Sequence, residues 1–469
     1  MKKKSWISLL VLMMLTGLLA ACGGSKDEPA ASPSSASPSA SPSASESSPA
    51  PESSPAAAPV KLRFLTHGTE TQYNWEETVA AFTKEYPNIQ VEVVGLSEKG
   101  DSTEALQKLD LAAAAGDQMD VLMFSDPTSY AKRVSLGMVA PIDEFIDKEG
   151  YKEPDDYKVN TQLNGQYYAL PGKFNPWYVL LNKDHLDAAN LQVPKDWTWD
   201  EFADFAKKLT TKNHFGTYFH GPQGGGWFEY LKLYMANQAD NTDLLKADGS
   251  SNLDDPNFRK TLELRVKMER EDKSAVTYAD MLSQKLHYRT QFFNQSASMI
   301  LIGSWMNSEI GGTEANPLSH HVAVAPWPKN DAGDATGVTS VTTDFMAVAA
   351  KSDHKEEAYT FIRWYTTKGL ANYGRNIPSW NGVSKDELAS IVEKIVSETK
   401  NPELVDQDSL INTLLVSSAG GMYAPPSYQA EVYRAVNEEY ELMILGKQDI
   451  DTALKNMQAA TQKIIDANK

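Results

Sequence analysis

Cysteine is almost absent from this chain: Cys22 is the only one in 469 residues. No disulfide can form within it, so the folded part must be held by its core alone, even in an oxidising compartment. Membrane-spanning runs are missing as well. The most apolar stretch, residues 6–19, is interrupted by Ser8, Thr16 and Gly17 and falls short of the ~20 residues that a spanning helix needs. There is no nucleophile elbow, P-loop, dinucleotide fingerprint or zinc pattern. The eight histidines are scattered, and His320-His321 is the one adjacent pair. The turn at 331–334 lacks the ordered acids and closing Glu of a calcium loop. No metal, cofactor or catalytic residue is therefore expected. Positive charge is also short: 44 Lys and Arg face 62 Asp and Glu, for a formal net charge of −18. Lys2, Lys3 and Lys4 stand in an N-terminal segment without acids, so the remainder carries about −21. Nucleic acid and anionic surfaces are poor partners for such a chain.

What is present begins with that N-terminal segment. A positive start, a short apolar run and small residues at Ala20 and Ala21 read as a signal peptide over 1–21. Leu19-Ala20-Ala21-Cys22-Gly23 resembles the bacterial lipoprotein signal, in which the cysteine becomes the first mature residue and carries acyl chains. Residues 22–59 are mostly Ser, Pro and Ala, with the unit SPSA recurring. Such a composition cannot bury enough apolar surface to offset its ordering entropy, and it favours an extended tether at up to ~3 Å per residue. The expected location is extracytoplasmic, lipid-anchored to the cell membrane through Cys22.

Order is expected from Val60. Residues 60–469, about 410 of them, exceed what a single core usually holds, so about two lobes are expected. Residues 61–66 read as a strand. Trp75, Val79, Phe82 and Tyr86 follow at helical spacing, ended by Pro87. Alternation at Ile89, Val91 and Val93 gives a second strand, 105–115 a helix, and 120–124 a short buried strand. This βαβαβ order implies a parallel sheet, whose ligands sit beyond the carboxyl ends of the strands, at 66–73 and 125–129. Thr198 and Glu201 form a capping-box pattern. Ala358, Phe361, Ile362 and Tyr365 mark a helix stopped near Gly369. Two long helices close the chain, at about 429–445, capped by Gly446, and about 450–467, with Ile450, Leu454, Met457 and Ile464 along one stripe.

The placing of the ten tryptophans is the strongest local signal. Trp75 and Trp364 lie on helices, and Trp197 and Trp199 bracket a helix start. Trp177, Trp227, Trp305, Trp327 and Trp380 sit among Gly, Pro or Asn, in loop-like contexts. An indole offers a flat apolar face and one donor, which suits the C–H faces and hydroxyl rims of neutral carbohydrates.

Four stretches carry a family resemblance. Gly165-Gln166-Tyr167-Tyr168-Ala169-Leu170-Pro171 resembles a G-x-x-Y-x-L-P element. Asn182-Lys183-Asp184 ends a strand, and Trp197-Thr198-Trp199-Asp200-Glu201-Phe202 opens a helix, as in the same family. Residues 297–305 resemble its A-M-x-x-x-G-S-W element with Ser298 inserted, and 347–364 its strand and A-x-x-F-I-x-W helix. In this order, over nearly the whole mature chain, they resemble the extracellular solute-binding proteins, family 1, of bacterial ABC importers, in the sugar- and oligosaccharide-binding group. The resemblance implies an α/β, two-lobed periplasmic-binding-protein-like fold, each lobe a sheet flanked by helices, joined by hinge segments near 172–174 and 340–344. Lobe one would be 60–173 plus 341–374, and lobe two 174–340 plus 375–469. It implies a monomer that is not an enzyme, captures a carbohydrate in the interlobe cleft and delivers it to an ABC permease. Mapped onto this sequence, the ligand-binding set is Trp305, Trp227, Trp177, Asp126, Glu70, Asn175, Trp380 and Tyr423. The alternatives are a surface-anchored polysaccharide-degrading enzyme, which would need a carboxylate pair, and a receptor of the same fold for a non-sugar solute.

Overall fold

A computed structural model describes residues 59–163, 165–221, 228–238, 243–246, 248–419, 425–426 and 428–468. Its strands in chain order are β1 (Val60–Thr66), β2 (Ile89–Gly95), β3 (Val121–Phe124), β4 (Ala169–Pro171), β5 (Asn175–Asn182), β6 (Phe215–Tyr218), β7 (Ala297–Gly303), β8 (Val322–Pro326), β9 (Val338–Thr339), β10 (Val341–Thr342), β11 (Phe345–Val348) and β12 (Ser418–Ala419).

The local βαβαβ pattern forms as its periodicity requires. β1 pairs in parallel with β2, from Val60↔Ile89 to Thr66↔Gly95, and with β3 on its other side. Helix Trp75–Glu85 buries Trp75, Thr78 and Phe82 at helical spacing and ends before Pro87. Helix Ser102–Ala115 starts where Asp101 accepts from the Glu104 N–H at 2.7 Å and stops at Gly116, which takes a left-handed conformation. The sheet is not purely parallel, however. β11, more than 200 residues later in the chain, inserts between β3 and β4 and is antiparallel to both. Leu62, Phe64, Val121, Met123, Leu170, Met346 and Val348 face one core, with Phe82 and Phe361. Leu65, Leu122, Phe124, Phe345 and Ala347 face the other, with Leu109 and Tyr130. Alternating side chains thus seal both faces of the sheet.

The second sheet runs β10-β5-β7-β6, with β8 also on β5. β5 and β7 are buried along their whole lengths, as near-continuous apolar runs demand when both faces are covered. Tyr178, Leu180, Ile300 and Ile302 join the core beneath the two C-terminal helices, Gln429–Ile444 and Ile450–Ala467. In the last helix the fully packed stripe is Ala453, Met457, Thr461 and Ile465. Ile450, Leu454 and Ile464 flank it, partly buried, so the apolar stripe is rotated slightly from the sequence expectation. The opposite face, with Val179, Leu181, Met299 and Leu301, packs on helix Trp199–Leu209. That helix carries the expected capping box: Thr198 N–H donates to Glu201 Oε2 at 2.7 Å, and Glu201 N–H to Thr198 Oγ1 at 3.3 Å. A Cβ on Gly216 would lie 1.8 Å from the Ala206 carbonyl oxygen, so only glycine lets β6 approach this helix so closely.

Helix Lys355–Trp364 does not stop at Gly369. A π-helical turn over Tyr365–Gly369 carries it on to Leu370–Asn372. Gly369 is helical, and a Cβ there would come within 2.6 Å of the Trp364 ring. Its glycine makes room for a tryptophan and does not end the helix.

Three extended segments connect the two sheets side by side. Residues 172–174 lead from β4 to β5, and 343–344 from β10 to β11. They are tied where Gly172 N–H donates to the Asp344 carbonyl at 2.8 Å and Thr343 Oγ1 donates to the Lys173 carbonyl at 2.7 Å. Residues 377–379 lie along the other side of 172–174, through Phe174 N–H to the Ile377 carbonyl at 2.7 Å and Ser379 N–H to the Gly172 carbonyl at 2.8 Å. No helix among the described residues is long and apolar enough to cross a membrane.

Candidate functional site

The connecting segments join one edge of each sheet, and the two edges differ in chemistry. At the first, β1 ends in Thr66, whose hydroxyl accepts from the Gly68 N–H at 2.9 Å. The turn that follows brings His67 and Tyr73 onto the connecting segments. Tyr73 donates its hydroxyl to Asp344 Oδ2 at 2.9 Å, and Lys173 Nζ lies 2.5 Å from the Tyr73 oxygen and 3.1 Å from Asp344 Oδ1. His67 Nε2 is 3.4 Å from the Tyr73 hydroxyl. All four residues are buried. Burial, opposed by Asp344 and reinforced by Lys173, lowers the His67 pKa to about 4, so its imidazole is neutral. Burial and then the Asp344 charge raise that of Tyr73, so its phenol keeps its proton. The sequence reading missed this cluster. Lys173 and Asp344 stand far apart in the chain, and no spacing rule connects them.

At the second edge the side chains are aromatic. Trp177, at the start of β5, is sealed at 1% exposure. Its ring stacks on His220 at 5.1 Å and meets Trp305 edge-to-face at 5.2 Å and Trp327 at 6.1 Å. Trp327 is equally sealed and donates its indole N–H to the Leu233 carbonyl at 3.2 Å. Trp305, just past β7, stays partly exposed. A Cβ on Gly303 would lie 1.9 Å from its ring, so the indole lies directly across that glycine. Asn175 is buried and accepts from Ser304 Oγ at 3.1 Å, tying the start of β5 to the end of β7. Burial lowers the His220 pKa to about 4.

Asn175, Trp177 and Trp305 therefore come together. Their settings differ from the loop-like reading: Trp177 is a strand residue and Trp327 a core residue. Asp126 lies on the first edge, where its carboxylate caps helix Pro127–Ser135 by accepting from the Ser129 N–H at 2.8 Å and from the Ser129 hydroxyl. Glu70 is exposed, accepts from the Glu76 N–H at 3.1 Å, and borders an open groove of about 670 Å³ with Gly68, Trp75, Val79 and Val91. Trp380 packs against the first sheet's core, bridging to Tyr157 and crossing Gly382. Trp227, Tyr423 and Cys22, with the glycines at 224–226, lie outside the described residues. Among the described residues no group of three or more His, Cys, Asp or Glu is placed to hold a metal ion.

Two helix-flanked sheets, joined by adjacent extended segments at edges that carry polar and aromatic side chains, form a two-lobed α/β architecture. Residues 67–371, more than half of the chain, match the family described as bacterial extracellular solute-binding protein. The chain belongs to this family. Solved structures with the same two-lobed α/β fold include a sugar transporter from Rhizobium etli in an open conformation (TM-score 0.65, 20% identity, 86% of this chain and 99% of that one). An ABC substrate-binding protein from Listeria monocytogenes in complex with cycloalternan is as similar (TM-score 0.65, 18% identity, 87% and 99%). Maltose-bound MalE3 of T. maritima follows (TM-score 0.62, 19% identity, 86% and 100%). An uncharacterized lipoprotein encoded in the oleD 5′ region of Streptomyces antibioticus is 23% identical over 315 residues, 65% of this chain and 66% of that protein. The family and fold of this solute-binding protein are those of binding proteins, and its family is extracellular.

Proposed function

We propose that this solute-binding protein captures a sugar or oligosaccharide between the two sheet edges and delivers it to an ABC permease. The observation that carries the reading is Trp305: a partly open indole held across Gly303, backed by the sealed Trp177, at the edge where the lobes are joined. Such a rigid aromatic face stacks on a pyranose ring at little entropic cost. Fold relatives bound to maltose, cycloalternan and D-mannitol support the class of ligand. Asn175, Asp126 and Glu70 are the polar contacts we assign, and Trp227, Trp380 and Tyr423 the further aromatic ones, with Trp177 behind Trp305. We assign the lobes as 60–173 plus 341–374 and 174–340 plus 375–469, adjusted where Val341–Thr342 pairs with β5 in the second sheet and Trp380 packs on the first. The lipid on Cys22 holds this monomer at the cell membrane, near its permease.

A ligand that touches both lobes stabilises the closed form by its differential contacts, and binding linkage raises the melting temperature. Maltose, D-mannitol and longer glucans are therefore screened by thermal shift and tryptophan fluorescence. At least one is expected to raise Tm and change the emission. If well-folded protein responds to none of a broad panel of mono- and oligosaccharides, the sugar reading fails.

A further inference from the structure

Glu229 stands on the aromatic edge, beside Trp177 and Trp327. It is 8% exposed, and its Oε2 makes no hydrogen bond among the described residues. Around it Trp177, His220, Tyr230 and Trp327 bound a void of about 10 Å³, the room of a single water-sized group. Its nearest cation is Lys232, whose Nζ lies 3.9 Å from Glu229 Oε1 and 3.8 Å from Asp243 Oδ2. Two carboxylates thus share one ammonium, at ion-pair and not hydrogen-bond range. Asp243 is otherwise served: it accepts from Gln429 Nε2 at 3.1 Å, from the Leu244 N–H at 2.7 Å and from the Tyr433 hydroxyl. Glu229 is left as the member with an open acceptor and an under-compensated charge. Burial accordingly raises its pKa, opposed first by Lys232. A buried acceptor without a partner is costly, and such groups concentrate where a ligand supplies the partner.

We propose that Glu229 is a ligand-recognition residue, whose Oε2 accepts a hydrogen bond from a donor on the captured sugar, either a ring hydroxyl or an amino group. The inference rests on the sugar-receptor reading. The void admits one such group beside Trp177, which in turn meets Trp305 edge-to-face. The aromatic walls then exclude water around the charged acceptor, which strengthens the bond it makes.

The test is calorimetric titration of the wild type, Glu229→Ala and Glu229→Gln with maltose, D-mannitol, glucosamine and chitobiose, with Tm of each unliganded protein measured alongside. Glu229→Ala is expected to weaken binding of the recognised sugar about tenfold or more, as loss of a bond to a charged acceptor implies. Glu229→Gln keeps the shape and one acceptor oxygen. If the donor is a hydroxyl, it restores most of the affinity for the neutral sugar. If the donor is an amino group, it binds the amino sugar as poorly as Glu229→Ala. The inference is overturned if the wild type binds a probe and both variants bind it equally well, with only Tm altered. Glu229 then serves Lys232 alone, and the sugar-receptor reading survives. If the wild type responds to none of a broad panel of mono- and oligosaccharides, the sugar reading falls and this inference falls with it.

Discussion

The two joined edges solve different problems with different chemistry. The first is ionic: Lys173 and Asp344, one on each of two connecting segments, meet in a buried cluster with Tyr73 and His67. The second is aromatic: Trp177, Trp305, Trp327 and His220 pack face-to-face and edge-to-face around β5 and β7. A buried ion pair specifies geometry, because breaking it strands a charge. An aromatic cluster supplies adhesive surface while tolerating varied orientations of what it touches. The ionic edge is thus the part that ties the connecting segments together, and the aromatic edge carries the indole we propose as the main sugar contact.

The sharpest way to break that comparison is to exchange the expected effects. Asp344→Ala leaves Lys173 buried without its carboxylate and removes the acceptor of the Tyr73 hydroxyl. It is expected to cost about 3–5 kcal/mol of folding stability, read as a large fall in Tm. Trp305→Ala, by contrast, is expected to abolish the fluorescence and thermal response to sugar while moving the unliganded Tm little. If the two outcomes are interchanged, the division of labour is wrong.

Acid should weaken both edges together, through one histidine in each. Burial pushes the pKa of both His67 and His220 down to about 4, from an ordinary imidazole value of ~6.5. The unfolded chain therefore binds more protons than the folded one in that interval. The neutral imidazoles' contribution is complete above about pH 6.5 and is lost as pH falls towards 4. At full strength it is roughly 3 kcal/mol for each histidine. Urea denaturation across pH 4–7 should show this loss, reduced in His67→Asn and in His220→Asn. A flat profile would remove the pH link between the edges.

The smallest expected effect concerns Asp126, a capping residue on the first edge that the sequence reading placed in the ligand site. Asp126→Ala should cost about 1 kcal/mol through loss of the cap, and Asp126→Asn almost nothing, because asparagine caps as well. Sugar titration of the Asn variant sharpens the comparison: undiminished affinity leaves recognition on the aromatic edge, and weakened affinity extends it to the ionic one.

Much of the fold was legible because its signals are local. The helices at 75–85 and 450–467, the capping box at Thr198 and Glu201, and the first three strands follow from periodicity and punctuation within a few residues. What escaped was non-local. The family resemblance placed 341–374 with the first lobe, but no nearby βαβ rule announces that β11 enters its sheet antiparallel. Asn175-Pro176-Trp177 has the punctuation of a loop, yet pairing with β7 and β10 makes it the start of a central strand. Trp327, between two prolines, read as a loop residue for the same local reason and is sealed in a core with Trp177 and Trp199. The candidate site was legible as a set of residue types, with Trp305 the best placed of them. His220 and Glu229 were not, because burial decides their chemistry and a single sequence does not display burial at isolated polar positions.

The connecting segments have a mechanical consequence. Three strands lying abreast and cross-tied at 2.7–2.8 Å make a strap whose stiffness depends on direction. Sliding one strand past the next would break those ties, whereas flexing the strap out of its plane leaves them intact. Lys173 and Asp344 both sit on the strap itself. In the capture cycle proposed above, their charges would travel together as the strap flexes, so closure would carry no cost of separating them.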